Sequence, residues 1–288
     1  MSSVASSELV LQPNGSVYHL GLFPDEIAER IILVGDPSRA DMVASFFDKI
    51  MVKRENREIF SRTGVYKGKE ITVISTGMGP DNIDIVVNEL DVLANFDLKK
   101  REIKPTLKSL TLVRIGTSGA LQPDIPVGSY IFSSHAVGLD GVLHFYASSE
   151  KVRELDIENA IQEHTAWLAE WPAPYVVKAN EELFHRLCKD HISGITVTAG
   201  GFYGPQGREL RLPVKHPSFN QLISTFQWNN LRCTNYEMET SALYGLSKMM
   251  GHKACTACVA IANRLRGEFL NDYKPYVKNL IIHVLENI

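Results

Sequence analysis

Short apolar runs alternate with longer amphipathic stretches along this chain. Residues 31–34, 110–113 and 254–262 are apolar runs bounded by polar residues, the pattern of strands buried on both faces. Residues 70–75, 127–137 and 194–199 also read as strands. Between them lie helical patterns. From residue 80 to about 95, Ile83, Val86, Val87, Leu90 and Leu93 recur at helical spacing and form a core stripe. Residues 272–286 align Tyr273, Tyr276, Val277, Leu280, Ile281 and Val284 in the same way. Further helices are predicted from Pro37 through about Phe47, and over 179–190, 216–229 and 240–250. A helical pattern over 150–172 carries Trp167 and Trp171 and reads as an excursion over the active face.

Strands alternating with helices, with no repeat or linker, predict one α/β domain across residues 1–288. Residues 1–15 are small and polar and read as a loose arm. Residues 97–108 are basic and polar and read as an exposed connector.

Composition narrows the function classes. A net charge of −3 gives no global reason for nucleic acid or an anionic membrane surface, so any anion site must be local. No run approaches transmembrane length, and the N-terminus lacks the segments of a signal peptide. Four cysteines in 288 residues fit a reducing cytoplasm. Cys255 and Cys258 have CxxC spacing, but on a strand they face opposite sides, which disfavours metal chelation.

Candidate chemistry gathers at the ends of the apolar runs. After residues 110–113 come Arg114, Gly116, Thr117, Ser118 and Gly119. A strand would deliver Arg114 to its carboxyl end, and the two glycines would let the backbone turn close to a ligand. A fixed cation, two hydroxyls and exposed N–H groups make an anion cradle. A plain glycine turn with a surface arginine is the other reading, and the residues leave both open. Gly35-Asp36-Pro37-Ser38-Arg39 is a strand–turn–helix start, the place where anions bind helix N-termini. Arg39 there opposes the helix dipole unless an anion compensates. Residues 54–62, with Arg57 and Glu58, read as a charged edge strand. Thr76-Gly77-Met78-Gly79 is a second glycine turn. No GxGxxG lies there and no GxxxxGK[ST] lies anywhere, which disfavours dinucleotide and P-loop sites.

Gly200 to Arg208 places an aromatic ring, an amide and a guanidinium together. A planar heterocycle could stack on Phe202 and meet Gln206 and Arg208 at its edge. Glu237 and Glu239, two apart on an extended segment, face one side and suit a vicinal diol; surface glutamates are the plainer reading. His19 on its own carries no assignment.

Taken in order from Val17 to the C-terminus, these segments resemble the nucleoside phosphorylase I family, nearest its uridine-cleaving branch. The matching text is His19-Leu20-Gly21, Gly35-Asp36-Pro37-Ser38-Arg39, Arg57-Glu58, Ser75-Thr76-Gly77, Arg114 to Gly119, Leu139-Asp140-Gly141, Phe202 to Arg208, Tyr236-Glu237-Met238-Glu239 and Asn263-Arg264. The resemblance implies a mixed central sheet, distorted and barrel-like, flanked by helices. It implies phosphorolysis of uridine to uracil and α-D-ribose 1-phosphate, with phosphate as co-substrate and no required cofactor. Gly35, Arg39, Arg114 and Thr117 are expected to hold phosphate, joined by Arg57 of a neighbouring subunit. Met238 and Glu239 are expected on the ribose, with His19 of the neighbour at the 5′ hydroxyl. Phe202, Gln206, Arg208 and Arg264 are expected on the base, and Arg114, Thr117, Gln206 and Arg208 in catalysis. Shared sites imply a homo-oligomer, a dimer or a trimer of dimers. Purine-cleaving members carry an aspartate near the position of Asn263, which is missing here. Met78-Gly79-Pro80-Asp81-Asn82 departs from the usual Gly-Gly-Pro-Ser text, which bears on a monovalent cation held between subunits near Glu58 and Asn82. Residues 97–108 and 150–175 match poorly.

Three other readings compete. A nucleoside hydrolase of the same fold would have no use for Arg39, Arg57 and Arg114 together. A purine nucleoside phosphorylase lacks its aspartate. A non-catalytic nucleoside-binding protein would use the same residues.

Overall fold

The apolar runs form the wall of a closed barrel and an open sheet that extends from it. A computed structural model describes residues 3–288. Its main strands are β1 (Arg30–Val34), β2 (Lys49–Asn56), β3 (Ile59–Tyr66), β4 (Lys69–Ser75), β5 (Thr111–Ala120), β6 (Tyr130–Gly138), β7 (Tyr175–Lys178), β8 (Ile192–Thr198), β9 (Leu231–Glu237) and β10 (Lys253–Asn263). The helices are α1 (Pro37–Ala44), α2 (Pro80–Asn95), α3 (Leu155–His164), α4 (Glu181–Cys188), α5 (Phe219–Thr225), α6 (Thr240–Met249) and α7 (Lys274–Asn287).

β5 pairs with β10, β10 with β6, β6 with β8, β8 with β9, and β9 returns to β5 through Asn235–Ala120 and Tyr236–Gly119. Five strands therefore close a mixed barrel. From β5 the sheet also continues outward through β1, β4, β3 and β2. Helices cover both faces, and α2 buries the predicted stripe Ile83, Val86, Val87, Leu90 and Leu93. α7 buries Val277, Leu280, Ile281 and Val284, but Tyr273 precedes the helix and Tyr276 is exposed.

The stretch expected to turn after residue 113 does not turn. β5 runs on for ten residues, leaves β1 after Ile115, and stays with β10 to Ala120. Arg114 is thus in mid-strand, level with Leu33 and Thr256. Gly116 is needed for a different reason. A Cβ there would lie 2.6 Å from Arg114 Nη1 and 3.0 Å from Cys258 Sγ. The glycine makes room for the guanidinium two residues back on the same face.

Other expectations also change. Residues 54–62 form a hairpin between β2 and β3, with Arg57 at φ 54° in its turn. The predicted helix over 216–229 shrinks to α5. The N-terminal arm is tied down rather than loose: Val4 N–H donates to the Arg101 carbonyl at 2.8 Å, the Arg101 guanidinium donates to the Leu9 carbonyl, and Leu9 is buried. Residues 1 and 2 of that arm lie outside the described residues. Among the described residues, no helix is long and apolar enough to cross a membrane.

Candidate active site

A cavity of about 750 Å³ opens where β5 and β9 meet at the barrel rim. It gathers Gly35, Arg39, Arg114, Thr117, Phe202, Gln206, Arg208, Met238, Glu239 and Arg264, ten of the twelve predicted site residues. Glu58 and Asn82 line its edge. His19 and Arg57 do not line it.

One end is cationic. Asp36 caps α1 by accepting from Arg39 N at 3.0 Å, and its carboxylate lies 3.2 Å from Arg39 Nη2. Arg39 also donates to the Ile115 carbonyl at 3.4 Å, which brings α1 onto β5. Burial pulls the Arg39 guanidinium below its ordinary pKa; Asp36 opposes this and Arg114 adds to it. Arg114 is buried between two carboxylates. Nη2 donates to Glu239, and Nε is 3.9 Å from Glu237. Burial disfavours its charge, but Glu239 and Glu237 outweigh burial and hold its pKa above the ordinary arginine value. Nε and Nη1 are buried and have no hydrogen-bond partner. Unpaired donors on a buried cation are costly, and an incoming anion would satisfy them. Ser118 Oγ is a third buried polar atom without a partner on this wall.

The middle is acidic. Glu237 and Glu239 do face one side, as the spacing predicts, but they do different work. Glu237 is consumed by the protein: it accepts from Thr198 Oγ1 at 2.6 Å, Glu239 N at 2.9 Å and Thr240 N at 3.0 Å. Burial, then the neighbouring Glu239, raises its pKa against the pull of Arg114. Glu239 accepts from Gly79 N at 2.9 Å and from Arg114, which fixes its carboxylate at the centre of the cavity.

The other end is a loop. Gly204–Gln206 is one 3₁₀ turn, and Gln206 is 3% exposed. Arg208 donates to Gln206 Oε1 and lies 3.8 Å over the Phe202 ring. An arginine can only donate, so it takes one lone pair of Gln206 Oε1, and Gln206 keeps its NH₂ and the second lone pair for a ligand. Burial and the nearby Arg264 lower the Arg208 pKa. Arg264 reaches the same loop from the cavity wall. Its two terminal nitrogens donate to the Gln206 and Gly207 carbonyls, so it holds the loop. Asn263 is likewise spent, donating to the Gln122 and Ile125 carbonyls at 2.8 Å each.

Tyr236 joins the site unforeseen. Tyr236 lines the cavity, its hydroxyl is buried and unpartnered, and burial raises its pKa. Strand alternation sends it away from Glu237, so the pattern hid it; its place inside the Tyr236–Glu239 motif was the available signal.

The segments that carry His19 and Arg57 meet each other instead. Asn56 donates to the His19 carbonyl at 2.7 Å, and the Arg57 guanidinium lies 5.5 Å from the Tyr18 ring. His19 Nδ1 is 2.7 Å from Glu89. Among the described residues, no cluster of three or more His, Cys, Asp or Glu side chains could hold a metal. Leu139-Asp140-Gly141 is structural: Asp140 accepts from Tyr175 at 2.8 Å and Ser241 at 3.0 Å.

The family model of the phosphorylase superfamily matches residues 29–286. A uridine phosphorylase of Thermococcus kodakarensis is 31% identical over 270 residues, covering 92% of this chain and 83% of that one. A DeoD-type purine nucleoside phosphorylase of Geobacillus kaustophilus is 30% identical, covering 87% of each chain. Among solved structures, a Trypanosoma brucei nucleoside phosphorylase that shows uridine phosphorylase activity superposes with a TM-score of 0.88 at 30% identity, covering 97% of this chain and 100% of that one.

Proposed function

Because the chain belongs to the phosphorylase superfamily, we infer that this cavity cleaves uridine by phosphate attack, releasing uracil and α-D-ribose 1-phosphate. What carries the reading is the order of groups along one cavity: Arg39 and Arg114 at one end, Glu239 in the middle, Gln206 and Arg208 beside Phe202 at the other. Phosphate, ribose and base follow the same order in the reaction.

The chemistry follows from the placement. Gly35, Arg39, Arg114 and Thr117 hold phosphate beneath C1′. Its charge stabilises the positive ribose of the transition state, and the arginines position it there. Met238 and Glu239 hold the ribose hydroxyls. Gln206 and Arg208 donate to uracil as negative charge moves onto the ring, so no separate general acid is needed. Phe202 offers a stacking face once Arg208 turns to the base. Uracil presents acceptor, donor, acceptor, and cytosine does not; the mismatch disfavours cytidine. Purines want a proton at N7, and the Asn263 amide is committed to the backbone.

Arg57 and His19 enter as donors to a neighbour's cavity. Neither lines its own cavity, and their segments touch through Asn56 and Tyr18, as a shared site in a homo-oligomer needs. Mixing inactive Arg57→Ala and Glu239→Ala chains then restores activity; no recovery in exchanging mixtures contradicts sharing. Glu58 and Asn82 supply oxygen donors on the cavity edge that suit a monovalent cation between subunits, where it would balance carboxylate charge. Activity falling on dialysis against a bulky quaternary ammonium salt tests it. The four unpaired cysteines fit residence in the cytoplasm, which imaging of the tagged chain checks.

The test of function is uracil release from uridine with and without phosphate. Strict phosphate dependence is expected. Equal rates would make the protein a hydrolase, and no release a binding protein.

A further inference from the structure

A second cavity, of about 340 Å³, lies behind the loop that carries Gln206 and Arg208. That volume falls among small-molecule sites, roughly 300–1,000 Å³. Gly204, Pro205 and Gly207 form its near wall, so one loop separates two cavities. Much of the remaining wall is flat-sided: Trp167, Trp171 and Phe219, with Pro172 and Pro213. The two indoles meet edge-to-face at 5.3 Å, and Trp171 meets Phe219 at 5.3 Å. Aromatic and proline side chains have few rotamers to lose, so the cavity is preformed and binding orders little. The excursion over 150–172 thus supports the back of the loop instead of covering the active face.

Three features choose the ligand. The lining is mostly aromatic and aliphatic, which favours a planar apolar ring. The rim charge Lys215 is paired with Glu170, so no net charge calls for an ion. His216, the other polar side chain on the wall, spends Nε2 on the Thr165 carbonyl at 3.0 Å. We propose that this cavity is a binding site for a small, neutral, planar aromatic molecule, and that its occupation sets the position of the base-binding loop.

The coupling has a structural path. Phe219 lines the back cavity, and the next residue, Asn220, donates to the Gln206 and Gly207 carbonyls at 3.1 and 3.4 Å. Arg264 grips the same two carbonyls from the catalytic side. Filling the back cavity fixes α5, and through Asn220 the backbone that aims Gln206. The site itself stands independently of the proposed reaction; only the coupling rests on uracil being the ligand of the front cavity.

Isoquinoline is the probe, followed by ligand-observed NMR on the full-length protein. Saturable binding is expected. It survives saturating uracil and ribose 1-phosphate, which fill the front cavity, and tightens about fivefold in their presence, the low end of ordinary coupling between sites. Val214→Trp plugs the rim and abolishes it; Val214→Phe is a smaller plug should the first variant fold poorly. Absence of saturable binding, loss of binding to uracil and ribose 1-phosphate, or binding retained in both folded plug variants overturns the site. Equal affinity with and without the front-cavity ligands overturns the coupling. A protein that binds isoquinoline but never releases uracil would sink the proposed reaction and leave this site standing.

Discussion

Arg114 rides on a strand shared by the barrel and the open sheet, whereas Gln206 and Arg208 ride on a loop between two cavities. The arginine end is held from every side. Its guanidinium is clamped by Glu239 and Glu237, and its strand pairs on both flanks. The loop end is held at two carbonyls by Arg264 and Asn220, and Phe202 is 51% exposed. The contrast matches two kinds of work. A charge that must meet a transition state gains from a site that cannot reorganise. A surface that chooses among bases gains from a segment that can vary without disturbing the barrel. In the proposed reaction the arginine end therefore sets whether the reaction runs, and the loop end sets on which base.

The largest effect is expected where the rigid end is cut. Arg114→Ala removes a preorganised donor, and kcat/KM falls by roughly 3 kcal/mol of transition-state stabilisation or more. It also leaves Glu237 and Glu239 buried without their cation, at a stability cost of roughly 3–5 kcal/mol. Near-normal turnover at low phosphate, with Tm unchanged, would break the comparison outright. Gln206→Ala comes next. It removes a buried amide facing the cavity, and uridine turnover drops by about 1–3 kcal/mol with stability nearly intact. An equal loss on uridine and cytidine would place Gln206 outside base choice.

Gly116→Ala tests the close approach itself. The added methyl must displace either the Arg114 guanidinium or Cys258, an overpacking cost of roughly 1–3 kcal/mol. The KM for phosphate should rise more than the KM for uridine. Equal rises would detach the glycine from the arginine.

The effect smallest in activity lies in the barrel wall, acts on stability alone and should touch both ends alike. Burial, with Lys178 and Lys248 nearby, lowers the His135 pKa from 6.5 to about 4. The folded protein resists a proton that the unfolded chain takes up. The stabilising contribution is therefore present above pH 6.5 and is lost as pH falls toward 4. Between pH 7 and pH 5 the expected loss is about 2 kcal/mol. Urea unfolding of wild type and His135→Asn at the two values checks it; identical pH slopes would remove His135 as the cause.

Much of this was legible in sequence because it depends on local pattern. The α2 stripe, the capped start of α1 and the strand identities follow from periodicity and turn chemistry. The same habits misread β5. Two glycines after an apolar run look like a turn, and only the position of Arg114 in space shows that Gly116 is small to admit a neighbour. Arg264 was placed at the base edge by resemblance; its hold on the loop goes through backbone carbonyls, to which side-chain pattern is blind. Tyr236 was hidden by strand alternation, which fails at a barrel rim where both faces meet the cavity. His19 and Arg57 were expected in a neighbour's site by resemblance alone, since periodicity has nothing to say about them; neither lines its own cavity.

The division between the two ends is tested most directly by one ratio, kcat/KM for uridine over kcat/KM for inosine, in wild type, Arg114→Lys and Gln206→Ala. Wild type should favour uridine strongly. Arg114→Lys should lower both values by one factor and leave the ratio unchanged. Gln206→Ala should collapse the ratio. A ratio that moves with Arg114→Lys and stays put with Gln206→Ala would contradict the account.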